Sequence, residues 1–153
     1  MEHQARIRTP FGILGITCTE EELATIVFLP AETPLEAPDS ALGRLVCNAL
    51  QSYLDNPAYP FDLPLVAHGT DFQQRVWVAI RQIPSGHTMS YAELARQVGS
   101  GPRAVANACG ANPLPIVIPC HRVVAKNGLG GFMQGRADSS LNIKRWLLEH
   151  ERG

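Results

Sequence analysis

The sequence predicts an α+β fold in two parts, a small sheet with a covering helix over residues 1–68 and a mainly helical half over residues 69–153. Three observations carry this. Aliphatic and β-branched runs cut by turn residues crowd residues 7–29, helical spacing of apolar residues takes over after Ser40, and two capping signatures with glycine and proline stops punctuate the second half. With 153 residues, 45% apolar and 18% charged, the chain can bury one large core or two small ones and has the composition of a globular protein.

Taken in order, Ile7–Cys18 and Glu22–Leu29 read as an antiparallel hairpin, with Pro10 and Gly12 early and the acidic Glu20-Glu21-Glu22 turn between them. Ala31–Asp39, with Pro34 and Pro38, is a loop. From Ser40 to Leu54 the positions Leu42, Leu45, Val46, Ala49, Leu50 and Tyr53 recur at helical spacing, an amphipathic helix for one sheet face that ends at Asn56-Pro57. Cys18 and Cys47 are expected in this core and His3 on a frayed terminus. Asn56–His68, with Pro57, Pro60 and Pro64, is the expected connection between the halves.

In the second half, Thr70 with Gln73 forms a capping box ahead of the stripe Phe72, Val76, Ala79, Ile80 and Ile83, which Pro84-Ser85-Gly86 stops; Trp77 lies beside that stripe. Ser90 with Glu93 repeats the signature for a short helix, Tyr91–Val98, closed by Gly99, and Gly101-Pro102 starts another. Two short helices across a glycine-containing turn make a helix-turn-helix. At 100° per residue the second puts Val105, Ala108 and Cys109 on one side and Arg103, Ala106, Asn107 and Gly110 on the other. That outer face lacks the long polar side chains that read base edges in a major groove and suits close approach in a minor groove, with Arg103 as its one long probe. An ordinary surface cation fits the same pattern.

The chemistry concentrates in residues 112–124. Pro113, Pro115 and Pro119 exclude a helix, so Ile116–Ile118 reads as a buried, extended strand that delivers Cys120 and His121. A lone cysteine in an apolar run is ordinarily inert core. His121 and Arg122 change its surroundings, since a proton acceptor and a fixed cation beside a thiol lower its pKa. Lys126–Phe132 is a glycine-rich turn, either a plain loop or a place of close backbone approach. A last helix from about Ser140 to Glu151 is anchored by Leu141, Ile143, Leu147 and Leu148. Glu151 continues that stripe at the negative end of the helix dipole, where a carboxylate needs a partner unless the turn is frayed.

Composition also excludes. Cys18, Cys47, Cys109 and Cys120 sit far apart with no C-x-x-C pair, so neither a zinc ribbon nor a disulfide framework is expected, and free thiols point to a reducing compartment. No apolar run approaches the roughly 18 residues of a membrane span, and Met1–Thr9 is too polar for a signal peptide, so the expected place is the cytoplasm. Residues 1–68 hold three Arg against nine acids and residues 69–153 hold ten Lys or Arg against five. A basic half can track phosphate, but a pI near 6.5 suits weak, salt-sensitive contact with nucleic acid.

Pro119-Cys120-His121-Arg122-Val123, preceded by Asn112-Pro113, resembles the alkyl-acceptor motif of the O6-alkylguanine-DNA alkyltransferases, and the similarity runs from about Thr70 to Glu151. The resemblance implies a ribonuclease H-like N-terminal domain and, after it, a DNA-binding and acceptor domain. It implies single-turnover transfer of an alkyl group from O6 of a flipped guanine to Cys120, without a cofactor. His121 would take the thiol proton through a water, because neighbouring side chains on an extended segment point apart. By the same resemblance Glu151 orients His121, Tyr91 donates a proton to the leaving guanine, and Asn112 belongs to the hinge. Arg103 fills the gap in the duplex, with Ala104, Asn107 and Arg122 as further DNA contacts, while Pro115, Val123, Phe132 and Met133 wall the base pocket. The implied partner is double-stranded DNA carrying O6-alkylguanine, met from its minor groove, with no obligate protein partner. Some relatives hold a structural zinc with two Cys and two His; matching histidines are missing, so no metal is expected. Ala106-Asn107 replaces the Gly-Gly of several relatives, and Met133–Asp138 is longer than their usual continuation. Two rivals remain: a lesion-binding relative without transfer, which should lack the thiol, and a Cys-His hydrolase, which should turn over.

Overall fold

Residues 2–128, 130 and 138–152 are described by the structure, a computed structural model of the chain. The chain divides into two compact units, Met1–Ala67 and His68–Gly153.

In the first unit β1 (His3–Thr9), β2 (Gly12–Cys18) and β3 (Leu23–Leu29) form an antiparallel meander in that order. The expected two-strand hairpin is thus three strands. Pro10-Phe11 is itself a hairpin loop: Gly12 takes φ +128, where a Cβ would also meet Leu29 O at 3.2 Å, and Thr9 Oγ1 donates to Gly12 O at 2.8 Å. Ser40 caps α1 (Ala41–Asp55) by accepting from Gly43 N, and α1 packs on the sheet with Val46, Ala49, Leu50 and Tyr53 buried. Leu45 is half exposed instead, and Cys47 only partly buried. Gly43 takes the inner place because the preceding loop folds against it: a Cβ there would lie 3.1 Å from Pro38 Cβ.

Two further expectations change in this unit. His3 is not frayed, because β1 pairs from its first residue, His3 opposite Cys18. Its Nε2 lies 2.9 Å from Glu20 Oε1 and its Nδ1 3.1 Å from Asp39 Oδ1, and the Glu20 contact above all raises the imidazole pKa. Part of the expected connection also belongs here: Leu23 N donates to Pro64 O and Val66 N to Leu23 O, both at 2.9 Å, so Leu65 lies parallel to the start of β3.

The second unit opens with α2 (Asp71–Arg81), whose Thr70 and Gln73 cap each other reciprocally. β4 (Met89–Ser90) leads into α3 (Tyr91–Val98), capped the same way by Ser90 and Glu93 and closed by Gly99 at φ +73. Gly101 and Pro102 then open α4 (Pro102–Gly110). The three helices pack on one another, Trp77 Nε1 donating to Ala108 O at 2.9 Å and Arg75 Nη1 to Val98 O at 2.9 Å.

The strand expected over Ile116–Ile118 is absent. Ile118 N donates to Leu114 O at 2.8 Å, closing a buried turn, and Ile116 sits at φ +78, a left-handed conformation that costs a β-branched residue roughly 1–2 kcal/mol. Prolines forbid a helix here, but a side chain forbids extension. Asn112 Oδ1 accepts from Leu114 N at 2.8 Å while its Nδ2 donates to Ile118 O at 2.8 Å, tying both ends of the segment together. Cys120–Arg122 follow as one 3-10 turn, and β5 (Val123–Val124) pairs in parallel with β4, Met89 opposite Val123 and Ser90 opposite Val124. α5 (Asp138–Arg152) completes the unit and packs on the 3-10 turn.

Candidate active site

Cys120 is the first residue of the 3-10 turn and is 3% exposed. Its Sγ accepts from Asn112 Nδ2 at 3.1 Å, so the amide that ties the preceding turn also holds the sulfur. The thiol is pushed up to about 11, by burial first; the Asn112 hydrogen bond and the charge of Lys144 oppose this without overcoming it. The expected depressed pKa is therefore reversed in the protein alone, because the thiol is buried and the cation of Arg122 is directed elsewhere.

That cation is spent on Glu151. Arg122 Nε donates to Oε1 at 2.8 Å and Nη2 to Oε2 at 2.9 Å, a bidentate fork, while Nη1 donates to Ile83 O at 2.7 Å. Arg122 was expected among the DNA contacts; in the structure its donors are committed to this carboxylate and to the end of α2. Glu151 is buried, not frayed, and its Oε2 also stands 2.7 Å from His121 Nε2. A carboxylate held by an arginine fork accepts, so the imidazole proton lies on Nε2 and Nδ1 keeps its lone pair. His121 is fully buried, and its Nδ1 has no hydrogen-bond partner among the described residues. Burial lowers the His121 pKa, and the Glu151 hydrogen bond works against that. Cys120 and His121 make no direct hydrogen bond. They are neighbours on a tight turn and not on an extended segment, so the expected reason for their separation is replaced by another: the ring is pulled to Glu151.

The parallel pairing of β4 with β5, Ser90 opposite Val124, brings the start of α3, with Tyr91, to the end of β5. Gly130 at φ +71 lies against the phenol, where a Cβ would come 2.8 Å from Tyr91 Cε2 and 3.3 Å from its hydroxyl. Lys144 was missed by sequence reasoning. It is fully buried, its Nζ donates to Val123 O at 2.8 Å and stands 5.8 Å from the Tyr91 ring centre, and burial brings its pKa down to about 8. A signal was present: Lys144 occupies the same stripe as Leu147, Leu148 and Glu151, at helical spacing of three, four and seven.

Hydrogen bonds thus join Cys120 to Asn112, and His121 and Arg122 to Glu151, the two sets meeting through the chain at Cys120-His121; Lys144 reaches Val123 and the Tyr91 ring, and its charge acts on Cys120. Pro115 and Val123, expected in the pocket wall, are buried, and Pro115 bridges Ile118. Arg103, Ala104 and Asn107 are exposed on the outer side of α4, and Val105, Ala108 and Cys109 are buried on its inner side. Phe132 and Met133 lie outside the described residues. Among the described residues no His, Cys, Asp or Glu cluster has the geometry of a metal site.

Such a site, a buried thiol beside an imidazole oriented by a carboxylate, defines a protein whose chemistry runs through a cysteine nucleophile. The sequence model described as "6-O-methylguanine DNA methyltransferase, DNA binding domain" matches residues 71–153. The methylated-DNA--protein-cysteine methyltransferase of Methanosarcina acetivorans is 35% identical, covering 97% of either chain. The constitutive methyltransferase of that name from Bacillus subtilis is 39% identical, covering 99% of this chain and 96% of its own. Among solved structures, the Mycobacterium tuberculosis OGT in complex with DNA superposes with a TM-score of 0.83 at 35% identity, covering 97% of this chain and 92% of that one. The chain belongs to the methylated-DNA--protein-cysteine methyltransferase family.

Proposed function

We propose that this protein repairs DNA by direct reversal, moving the alkyl group of an O6-alkylguanine irreversibly onto its own Cys120. The observation that carries the reading is the Cys120 thiol next to a His121 whose Nε2 is fixed on Glu151 and whose Nδ1 is left to accept. The lesion lies inside the stack, so the base must be flipped out, at a cost of a few kcal/mol. Arg103, reaching from the exposed face of α4 into the minor groove, fills the vacancy, with Ala104 and Asn107 close to the backbone. α3 and α4 act as the helix-turn-helix of residues 69–153, and the first 68 residues form a ribonuclease H-like companion domain.

In the reaction the thiol proton passes to His121 Nδ1 through a bridging water. Glu151 stabilises the imidazolium that results, and Arg122 keeps Glu151 in place. Cys120 Sγ attacks the alkyl carbon, the C–O6 bond breaks, and its electron pair stays on guanine, which Tyr91 protonates. Pro115 and Val123 border the pocket that receives the base, with Phe132 and Met133 as its expected further wall. The product is a thioether, and no group of the site can release it, so each molecule acts once. No cofactor takes part in this scheme, and the protein works in the cytoplasm.

The test is to incubate the protein with duplex DNA containing O6-methylguanine and weigh it. One methyl per molecule on Cys120, none on Cys18, Cys47 or Cys109, and DNA binding without methyl uptake by Cys120→Ser are expected. Many turnovers per protein, or an unchanged mass, overturns the reading.

A further inference from the structure

Pro84-Ser85-Gly86 reads in the sequence as a stop for α2 and nothing more, yet in the structure this turn touches the site twice. Ile83 N still donates to Ile80 O at 3.0 Å, and His87 N donates to Pro84 O at 3.1 Å, so a tight turn closes over Pro84–His87. Its first contact is the Ile83 carbonyl, which accepts from Arg122 Nη1 at 2.7 Å. Its second is Gly86, at φ +83, where a Cβ would stand 3.2 Å from the main-chain oxygen of Glu151. Glu151 is the last residue but one of α5, in a turn that frays unless something holds it. A carboxylate that must stay 2.7 Å from His121 Nε2 and inside the Arg122 fork needs its own backbone fixed.

We propose that Gly86 is a positioning residue of this site: by lacking a side chain it lets the α2–β4 turn close on the end of α5 and set Glu151 against His121. The purpose rests on the alkyl-transfer reading, while the geometry stands without it. Two features of the position make the assignment specific. A positive φ near +83 strains alanine but is tolerated by asparagine, so the backbone conformation alone would admit Asn. The carbonyl at 3.2 Å would not, because any Cβ there has to move the turn or α5 by a few tenths of an ångström. Ile83 O and Gly86 lie in the same turn, so either movement alters the fork and the carboxylate together. Gly99 is the matched position: at φ +73 it has nothing within 4 Å of where a Cβ would stand, and only the backbone conformation is at stake. Of the charged and titratable groups around His121 and Cys120, Arg122 and Lys144 act on the imidazole and Cys109 neighbours the sulfur, while His87 and Arg152 line the cleft where the turn meets α5.

The readout is the rate at which Cys120 takes up iodoacetamide, resolved by mass on its peptide and followed against pH. Displacing the carboxylate weakens the base that receives the thiol proton. A misplacement of about 1 Å costs roughly 100-fold, so a few tenths should cost about three- to ten-fold. Gly86→Asn should therefore react about three- to ten-fold more slowly at pH 7, with its profile displaced to higher pH. Gly99→Asn should follow the wild-type profile whatever stability it loses. In Glu151→Gln, which has no charged carboxylate to displace, Gly86→Asn should add no further shift. A Gly86→Asn profile that superimposes on wild type overturns the proposal, and so does an equal shift in Gly99→Asn. A shift repeated in full in the Glu151→Gln background overturns it too, since Gly86 would then act by another route. If Gly86→Asn does not fold, Pro84→Gly loosens the same turn without adding a contact. Its profile should move the same way, and an unmoved one overturns the proposal. Methyl uptake from O6-methylguanine duplex, measured on the same samples, separates the two readings. If wild type takes up no methyl while the iodoacetamide profiles differ as described, the repair reading fails and the Gly86 assignment survives. If methyl is taken up and the profiles coincide, only Gly86 falls.

Discussion

Glu151 is where a single residue changed meaning between sequence and structure. At the end of a helix, continuing an apolar stripe, it was equally a frayed acid and a buried partner. The structure puts it within 2.7 Å of His121 and in the fork of Arg122, and this pairing explains why a carboxylate persists at the unfavourable end of the dipole. Glu151→Gln keeps the shape and removes the charge that stabilises an imidazolium at His121. With the proton acceptor weakened, the pH at which Cys120 becomes reactive toward a small alkylating agent should move upward, with repair slowed at neutral pH. Superimposable rate–pH profiles of the two proteins would show that Glu151 merely fills space. His121 itself is held below its ordinary pKa by burial. Its neutral form is the folded one, so the stability it contributes is present above about pH 6.5 and is lost as pH falls below that.

At the scale of elements, the turn from Asn112 to Cys120 matters most. One amide makes three buried hydrogen bonds, to Leu114 N, Ile118 O and Cys120 Sγ, and holds Ile116 in a conformation it would otherwise leave. Asn112→Ala leaves buried backbone groups unpaired at roughly 1–3 kcal/mol each. We expect a fall of about 3 kcal/mol in the stability seen by urea denaturation, with Cys120 alkylation slowed even in the fraction that stays folded; a loss below about 1 kcal/mol would mean the turn is held by its prolines alone. The other element is α4. Its outer face carries Arg103, exposed, and its inner face is packed by Val105, Ala108 and Cys109. Arg103→Ala should therefore damage repair of duplex DNA much more than reaction with free O6-benzylguanine, since only the duplex must be unstacked. Equal losses on both substrates would place Arg103 in the pocket and not in the gap.

For the whole molecule, charge and buried thiols set the response to solution conditions. The acidic first 68 residues and the basic remainder predict that DNA affinity falls steeply with salt. Burial pushes Cys109 up to about 12 and Cys120 to about 11, against 9.0 for a free thiol. Both folded values lie above the unfolded one, so the stability these thiols contribute is complete below about pH 9 and is lost as pH rises through 11 to 12. Lys144 has the opposite sign: its folded value, about 8, lies below the ordinary 10.5, so stability is gained between those values, which offsets one of the two thiol losses until about pH 10.5. Cys109→Ala should lower the melting temperature at pH 8 by leaving a small cavity, yet flatten the decline from pH 10.5 to 11.5; an unchanged slope would mean Cys109 ionises without unfolding.

Whatever is written in local chemistry could be read from the order of residues. Both capping boxes, the stops at Gly99 and Pro84, the sidedness of α4, and the pairing of His121 with the late Glu151 were legible, because each depends on residues a few positions apart or on a motif quoted residue by residue. That reading failed where distant backbone or burial decides. Ile7–Cys18 broke into two strands at the Pro10-Phe11 turn, where β1 folds back to pair with β2, Ile116–Ile118 became a turn because Asn112 reaches over six residues to Ile118, and His3 was anchored by acids far along the chain. The electrostatics were decided last and only in three dimensions. A thiol beside His and Arg reads as activated, but burial outweighs a cation that faces another way, and the charge that lowers the sulfur's pKa against that burial is that of Lys144, twenty-four residues on and hidden in a helix stripe until the chain is folded.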